Sequence, residues 1–92
     1  MINNENKFCS SSIIEWLTTQ IAHELNVKKD MIDIRQPFSR FNIDSVRAML
    51  MLSKIQKDFD LKLSPTIFWN YPTIQALADR LEILAKSKLD HD

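Results

Sequence analysis

Glycine is absent from all 92 residues of this chain. Loops that cradle phosphate groups need glycine so that the backbone can approach the ligand, which excludes both the Walker and the dinucleotide type. The nucleophile elbow of serine hydrolases is excluded on the same ground, and tight β-hairpin turns, which favour glycine, are disfavoured. Helices tolerate the lack of glycine best, so the sequence favours a helical protein.

Residues that build disulfides and metal sites are also scarce. The single cysteine, Cys9, permits no internal disulfide. His23 and His91 are far apart in sequence and lack the neighbours that a metal site needs. No Ser-His-Asp arrangement or carboxylate pair is visible, so we predict neither a catalytic residue nor a bound metal.

Charge and hydrophobicity limit the possible partners and the compartment. Twelve Lys and Arg residues balance twelve Asp and Glu residues, a net charge of zero that argues against a nucleic-acid binder or a polybasic membrane anchor. The hydrophobic content of 45% is enough for a core. The longest apolar run, residues 48–52, is too short to span a membrane, and residues 1–7 have no apolar signal core. We expect a soluble, cytoplasmic monomer.

Three segments carry apolar residues at helical spacing. The first helix is predicted to open at Ser12, which forms a capping box with Glu15, and to end at Asn26 in a left-handed conformation. The second opens at Asp44 and Ser45 and runs to about residue 59, and the last follows Thr73 as its cap. The predicted inward stripes are Ile13, Ile14, Leu17, Ile21 and Leu25, then Ala48, Met51, Leu52, Ile55 and Phe59, then Ile74, Leu77, Ala78, Leu81 and Leu84.

The remaining segments complete the predicted architecture. Residues 66–70 form at most a turn or two of helix, and residues 27–43 form a long first loop packed by its own apolar side chains. The predicted fold class is all-α: a small antiparallel four-helix bundle of three longer helices, one short third helix and a long first loop. Residues 1–10 are a flexible N-terminal segment, residues 11–88 the folded domain and residues 89–92 a flexible tail.

The candidate site lies at the start of the second helix. A serine there, Ser45, sits at the positive end of the helix dipole beside unpaired backbone amides, a favourable position for a phosphate ester. Val46 and Leu50 are apolar residues outside the inward stripe of the second helix. We expect them to be exposed, which suggests a docking surface. The simpler interpretation is that Asp44 and Ser45 only cap the helix.

Residues 41–46 (FNIDSV) resemble the phosphopantetheine attachment motif of acyl and peptidyl carrier domains. Residues 59–66 (FDLKLSPT) and residues 68–74 (FWNYPTI) are similar to the segments that follow in carriers of modular polyketide synthases. The resemblance covers roughly residues 12–84 with correct spacing, so residues 11–88 are identified as a carrier domain.

The resemblance implies a function. Ser45 receives 4′-phosphopantetheine from coenzyme A through a phosphopantetheinyl transferase, and the thiol of that arm holds acyl intermediates as thioesters. The carrier presents them to acyl-loading enzymes, ketosynthases or other acyl-processing enzymes and catalyses nothing itself. Asn42, Asp44 and Val46 form the rest of the cofactor-binding motif, and Asp44 helps to orient the transferase or its metal.

The chain departs from the family pattern at several positions. Asn42 stands where glycine is usual, and Asn is the next most tolerant residue of positive φ. Leu50 stands where an exposed acidic residue is usual, whereas carriers of dissociated fatty-acid synthesis show an acidic face to basic partners. We therefore predict a different partner-binding surface and a role in polyketide or specialised lipid synthesis; its residues are Val46, Arg47, Leu50, Lys54 and Lys57.

Other interpretations remain open at this point. The chain is alternatively an unmodified, carrier-like module for protein–protein interaction, which Asn42 and the apolar second helix would favour. A helix-turn-helix DNA binder is weaker, because the chain lacks a basic face and overall positive charge. The aromatic residues Phe68, Trp69 and Tyr71 are predicted to be core packing, and Met49 and Met51 to be core fillers.

Overall fold

The chain folds into α-helices joined by turns, in a computed structural model that describes residues 9–90. The helices are α1 (Ser10–Leu25), α2 (Ser45–Phe59), α3 (Ile67–Asn70) and α4 (Ile74–Asp90). Two 3₁₀ turns, Lys29–Met31 and Phe38–Phe41, lie in the loop between α1 and α2. Because residues 9–90 hold four helices and no strand, the predicted all-α fold with a short third helix is confirmed.

The ends of the outer helices differ from the sequence prediction. The predicted flexible segment 1–10 lies outside the described residues except at its last two positions, and Ser10 is already helical. At the other end α4 continues to Asp90, so residues 89 and 90 of the predicted tail are helical, while residues 91 and 92 lie outside the described part.

A single apolar core lies between the four helices and the long loop. The predicted stripes point inward: the fully buried side chains are Ile13, Leu17 and Ile21 of α1, Ile55 of α2, and Ile74, Leu77 and Leu81 of α4. Met51, Leu52 and Phe59 of α2 are also buried, as the stripe predicted. Among the helices, α1 packs chiefly against α4.

The predicted capping box at Ser12 is wrong, because α1 begins two residues earlier. The backbone N–H of Ser10 donates to Glu82 Oε2 at 3.1 Å, and the Ser10 hydroxyl donates to Asp79 Oδ1 at 2.5 Å. Acidic side chains of α4 thus bind donors of the first turn, which a capping box would otherwise satisfy locally. Glu15 instead forms an ion pair with Lys29.

The long loop is fastened to the start of α4. The Phe38 N–H donates to the Pro72 carbonyl at 2.8 Å, and the Gln75 N–H donates to the Ile34 carbonyl at 3.1 Å. The Phe38 ring is buried and meets the Phe68 ring edge-on, with 5.6 Å between centroids. The second part of the loop is therefore packed by its own apolar side chains, as predicted, whereas Val27 and Met31 at its start are exposed.

Among the described residues, positive φ occurs at three positions, none of them glycine. Asn26, at the end of α1, has φ 57° and Asp60, at the end of α2, has φ 53°. The Leu61 N–H then donates to the Gln56 carbonyl at 3.2 Å, which satisfies a carbonyl at the end of α2. Asparagine and aspartate thus end these helices in place of glycine, as predicted for Asn26. The third position, Asn42, belongs to the site.

Within residues 9–90, none of the helices combines the length and the hydropathy that a membrane span requires.

Candidate functional site

Ser45 is the first residue of α2 and is exposed. The residue before it, Asp44, is extended at φ −83° and ψ −179°, and its Oδ1 accepts the N–H of Arg47 at 2.9 Å. The Asp44 carbonyl accepts the N–H of Ala48 at 2.9 Å. The carboxylate therefore caps the helix, as its position in the sequence predicted, and the Ser45 hydroxyl is left to project from the first turn.

Asn42 turns the chain from the 3₁₀ turn Phe38–Phe41 toward α2. Its backbone is left-handed, with φ 58° and ψ 32°, as the sequence predicted for an asparagine standing at a glycine-like position. Phe41 before it is buried, and Ile43 after it packs against the core. These two side chains hold the turn against the core on both sides, and Asn42, Asp44 and Ser45 form one corner of the chain.

A cavity of about 280 Å³ opens beside this corner. Asp44 and Ser45 belong to its wall, together with apolar residues from the long loop, from α2 and from the α3 region. The principal apolar side chains are Pro37, Ile43, Ala48, Met49, Phe68 and Trp69. A group attached to the Ser45 hydroxyl therefore lies beside an apolar recess that it can enter without disturbing the core.

Two side chains predicted to be core lie at this cavity instead. Trp69 is 74% exposed and Met49 is 47% exposed, whereas Met51, the other predicted core methionine, is buried. In the single turn of α3, Ile67 is buried and Phe68 is half-buried, so the next residue is turned outward. The sequence showed that α3 is short, but not which of its side chains would face outward.

The outer face of α2 carries the residues predicted to bind partners. Val46 is 68% exposed and Leu50 is 54% exposed. Arg47, Lys54 and Lys57 are also exposed. The structure thus places all five on the solvent side of α2 and brings Val46 next to Ser45. Their roles stay predictions, as do those of Asn42 and Asp44.

Other reactive side chains lie elsewhere. The Ser12 side chain, 3.3 Å from the Cys9 Sγ, lowers the pKa of the Cys9 thiol from its ordinary value, but Cys9 is at the start of α1 and not in the cavity wall. In the described residues no group of His, Cys, Asp or Glu side chains is arranged to hold a metal ion.

In comparison with known proteins, a family described as phosphopantetheine attachment site matches residues 15–81. A solved structure of a free-standing peptidyl carrier protein from an uncharacterized Acinetobacter baumannii secondary metabolic pathway is 32% identical, with a TM-score of 0.77 over 89% of this chain and 98% of that one. An acyl carrier protein from Anabaena sp. PCC 7120, described as having a variant phosphopantetheinylation-site sequence, is 35% identical, with a TM-score of 0.80 over 84% and 88%.

The curated relatives are much larger proteins. The 5-methyl-1-naphthoate synthase of Streptomyces sahachiroi is 40% identical over 62 residues, which are 67% of this chain and 4% of that protein. A phenolphthiocerol/phthiocerol polyketide synthase of Mycobacterium tuberculosis is 32% identical over 82 residues, 89% of this chain and again 4% of that protein. The chain thus corresponds to one small part of each relative.

Proposed function

This chain belongs to the family of phosphopantetheine-binding carrier proteins and is related to the carrier domains of polyketide synthases; on that premise we propose that Ser45 is the residue that carries 4′-phosphopantetheine. Carriers of this family are not catalysts. The observation that supports Ser45 is its geometry: an exposed hydroxyl on the first residue of a capped helix, beside an apolar cavity.

The surroundings of Ser45 fit a phosphodiester. In the attachment, the Ser45 Oγ forms a bond to the phosphorus that bears the pantetheine, the pyrophosphate bond of coenzyme A breaks, and the nucleotide leaves as adenosine 3′,5′-bisphosphate. The transferase removes the hydroxyl proton. The first-turn amides of α2 favour the negative charge of the product. The exposure of Ser45 leaves room for the transferase. Once bound, the arm supplies a thiol that holds acyl groups as thioesters.

The cavity supports an apolar cargo. Its wall is built chiefly from aliphatic, methionine and aromatic side chains, so a hydrocarbon chain that enters it leaves water without stranding a polar group. The cargo would accordingly be an acyl or polyketide intermediate. The similarity to a naphthoate synthase and to a phthiocerol polyketide synthase supports a place in polyketide or specialised lipid synthesis.

The partners that follow are a phosphopantetheinyl transferase, an acyl-loading enzyme, and a ketosynthase or other acyl-processing enzyme. Each has to reach the end of an arm fixed at Ser45. The exposed residues Val46 and Leu50 lie on the helix that begins at Ser45, so an enzyme that receives the arm meets this surface as well.

Intact mass measurement tests the attachment. The protein is incubated with coenzyme A and a broad-specificity phosphopantetheinyl transferase, with Ser45→Ala as the control. We expect the wild type to gain the mass of one phosphopantetheine group and Ser45→Ala to gain none. Ser87→Ala, which removes an exposed hydroxyl from a different helix, α4, is a matched variant and should be loaded like the wild type.

The alternative is an unmodified interaction module with the carrier fold, favoured by Asn42 in place of glycine. The observed turn at Asn42 is left-handed, so this residue supports the backbone that glycine would otherwise provide. The Anabaena protein, an acyl carrier protein by description despite its variant site, also supports modification. Failure of several transferases to load a folded helical sample would overturn the Ser45 proposal in favour of the interaction module. Asn42→Gly would then be the first variant to test for loading.

A further inference from the structure

The outward face of α2 is divided into two halves. Val46, Leu50, Ser53 and Lys57 follow one another at intervals of four, three and four residues, so they form a single stripe along the helix. Along this stripe the half next to Ser45 is apolar, with Val46 and Leu50 both more than half exposed, and the exposed Arg47 lies beside it. The far half is basic: Lys57 is on the stripe and Lys54 is beside it, both exposed.

The positive charge of this face is not neutralised within the described part of the chain. No ion pair joins Arg47, Lys54 or Lys57 to another described residue, and Lys54 contacts only the neutral amide of Gln20, at 3.5 Å. Asp44 at the start of the helix and Asp58 near its end form no ion pair with these basic side chains among the described residues. Asp44 accepts the Arg47 N–H, and Asp58 accepts the indole N–H of Trp16 at 2.9 Å.

We propose that this face docks an enzyme surface that is apolar next to the entrance of its active site and acidic farther away. At 1.5 Å per residue, Lys57 lies about 16 Å along the helix from Val46, which sets the spacing of the two regions on the partner. The apolar half is buried next to the arm, and the acidic region meets Lys54 and Lys57 and steers the encounter. This inference rests on the proposed function, because the arm at Ser45 is what brings the enzyme to α2.

A second copy of the chain fits this face poorly. If two copies pair along the full length of antiparallel α2 helices, Leu50 of one copy lies against Lys54 of the other. If the helices are parallel, Lys54 and Lys57 face their own counterparts. In each arrangement an apolar side chain faces a charged one, or two like charges face each other. A stable interface avoids both.

A cross-linking experiment tests the charge of the partner. A pantetheine arm that ends in a chloroacetamide is loaded on Ser45 of the Cys9→Ser protein, so that no protein thiol competes, and loading is verified by mass. The probes are a ketosynthase whose carrier-docking surface is basic and the same ketosynthase with those basic side chains changed to Glu. The rate of cross-linking to the ketosynthase active-site cysteine is measured at low and high NaCl.

We expect the acidic ketosynthase to cross-link about tenfold faster or more at low salt, and the difference to shrink at 0.5 M NaCl. The double variant Lys54→Glu/Lys57→Glu should reverse the preference. The matched control, Lys28→Glu/Lys62→Glu, makes the same change in net charge at exposed sites outside α2. It should retain the preference for the acidic ketosynthase. Leu50→Ser should slow cross-linking to both enzymes.

The outcomes separate this inference from the proposed function. No loading of the arm would overturn the assignment of Ser45 and the docking inference with it. Loading with equal rates for the two ketosynthases, or the same change in preference from both double variants, would overturn the docking inference alone. A dimer in sedimentation experiments that Leu50→Ser dissociates would identify a second copy as the occupant and also overturn it.

Discussion

At the scale of single residues, asparagine and aspartate occupy the positive-φ positions that glycine often occupies in other proteins. Asn26, Asn42 and Asp60 all adopt positive φ, a conformation that most residues with a Cβ avoid. Short polar side chains tolerate it because they can hydrogen-bond locally. The identity of the residue at position 42 therefore controls how the chain enters α2 and how Ser45 is presented.

Replacing Asn42 by alanine should destabilise the protein by about 1 kcal/mol, because alanine tolerates φ near 58° less well. Asn42→Gly should change the stability by less than about 0.5 kcal/mol, since glycine adopts this conformation without strain. Thermal unfolding measures both, and the alanine variant should melt about 4–8 °C lower. Equal melting temperatures for the two variants would show that the conformation at residue 42 has no energetic weight.

At this scale the sequence predicted features that depend on a residue and its immediate neighbours in the chain. It predicted the left-handed turns at Asn26 and Asn42 and the caps at Asp44 and Thr73; the Thr73 Oγ1 accepts the Ala76 N–H at 3.1 Å. It failed for Trp69, because the exposure of an indole depends on which neighbours surround it. Hydrophobicity alone assigned this side chain to the core.

At the scale of helices, the start of α2 combines stability with the site, because Asp44 is both the cap and the neighbour of Ser45. Asp44→Ala should cost about 1 kcal/mol of stability, as loss of a helix cap usually does. Asp44→Ser keeps an oxygen that can accept the Arg47 N–H and should restore the stability.

The same two variants separate the cap from a contact with the transferase. If Asp44 also orients the transferase or its metal, Asp44→Ser should be as stable as the wild type in urea unfolding and yet be loaded more slowly. The readout is the rate of phosphopantetheine transfer at several concentrations of the carrier. Full recovery of the rate in Asp44→Ser would reduce the role of Asp44 to that of a cap.

Apolar periodicity predicted the inward faces of α1, α2 and α4 because each face spans several turns and outweighs single residues. The boundary of α1 could not be found in this way. Its first donors bind Glu82 and Asp79, which lie some seventy residues away in the chain, and a local capping motif does not register such partners. A helix end that is fixed by tertiary contacts cannot be predicted from the residues next to it in sequence.

At the scale of the whole molecule, the site is the place where distant segments of the chain meet. Ser45 could be predicted from its motif, whereas the cavity beside it could not. The cavity wall combines Pro37 from the loop, Met49 from α2 and Trp69 from α3, and no sequence pattern links these three. The loop is held against the start of α4 by the hydrogen bonds of Phe38 and Gln75, so the cavity depends on how the loop, α2 and the α3 region pack together.

The two tryptophans allow occupation of the cavity to be observed directly. Trp69 belongs to the cavity wall and is 74% exposed. Trp16 does not belong to it: its ring meets Phe59 edge-on at 5.3 Å, and its indole N–H donates to Asp58. The variant Trp16→Phe therefore leaves an indole that reports on the cavity, and Trp69→Phe leaves one that does not.

An octanoyl group on the arm should bury Trp69, because each methylene that leaves water contributes about 0.8 kcal/mol and the recess is apolar. In Trp16→Phe we expect the fluorescence of Trp69 to shift to shorter wavelength and to resist quenching by iodide when the arm carries octanoyl. An acetyl group, too short to fill the recess, should produce little change. In Trp69→Phe both acyl groups should leave the emission of Trp16 unaltered. Identical spectra of Trp69 with octanoyl and acetyl would mean that the chain stays in water, and the cavity would then have no part in holding the cargo.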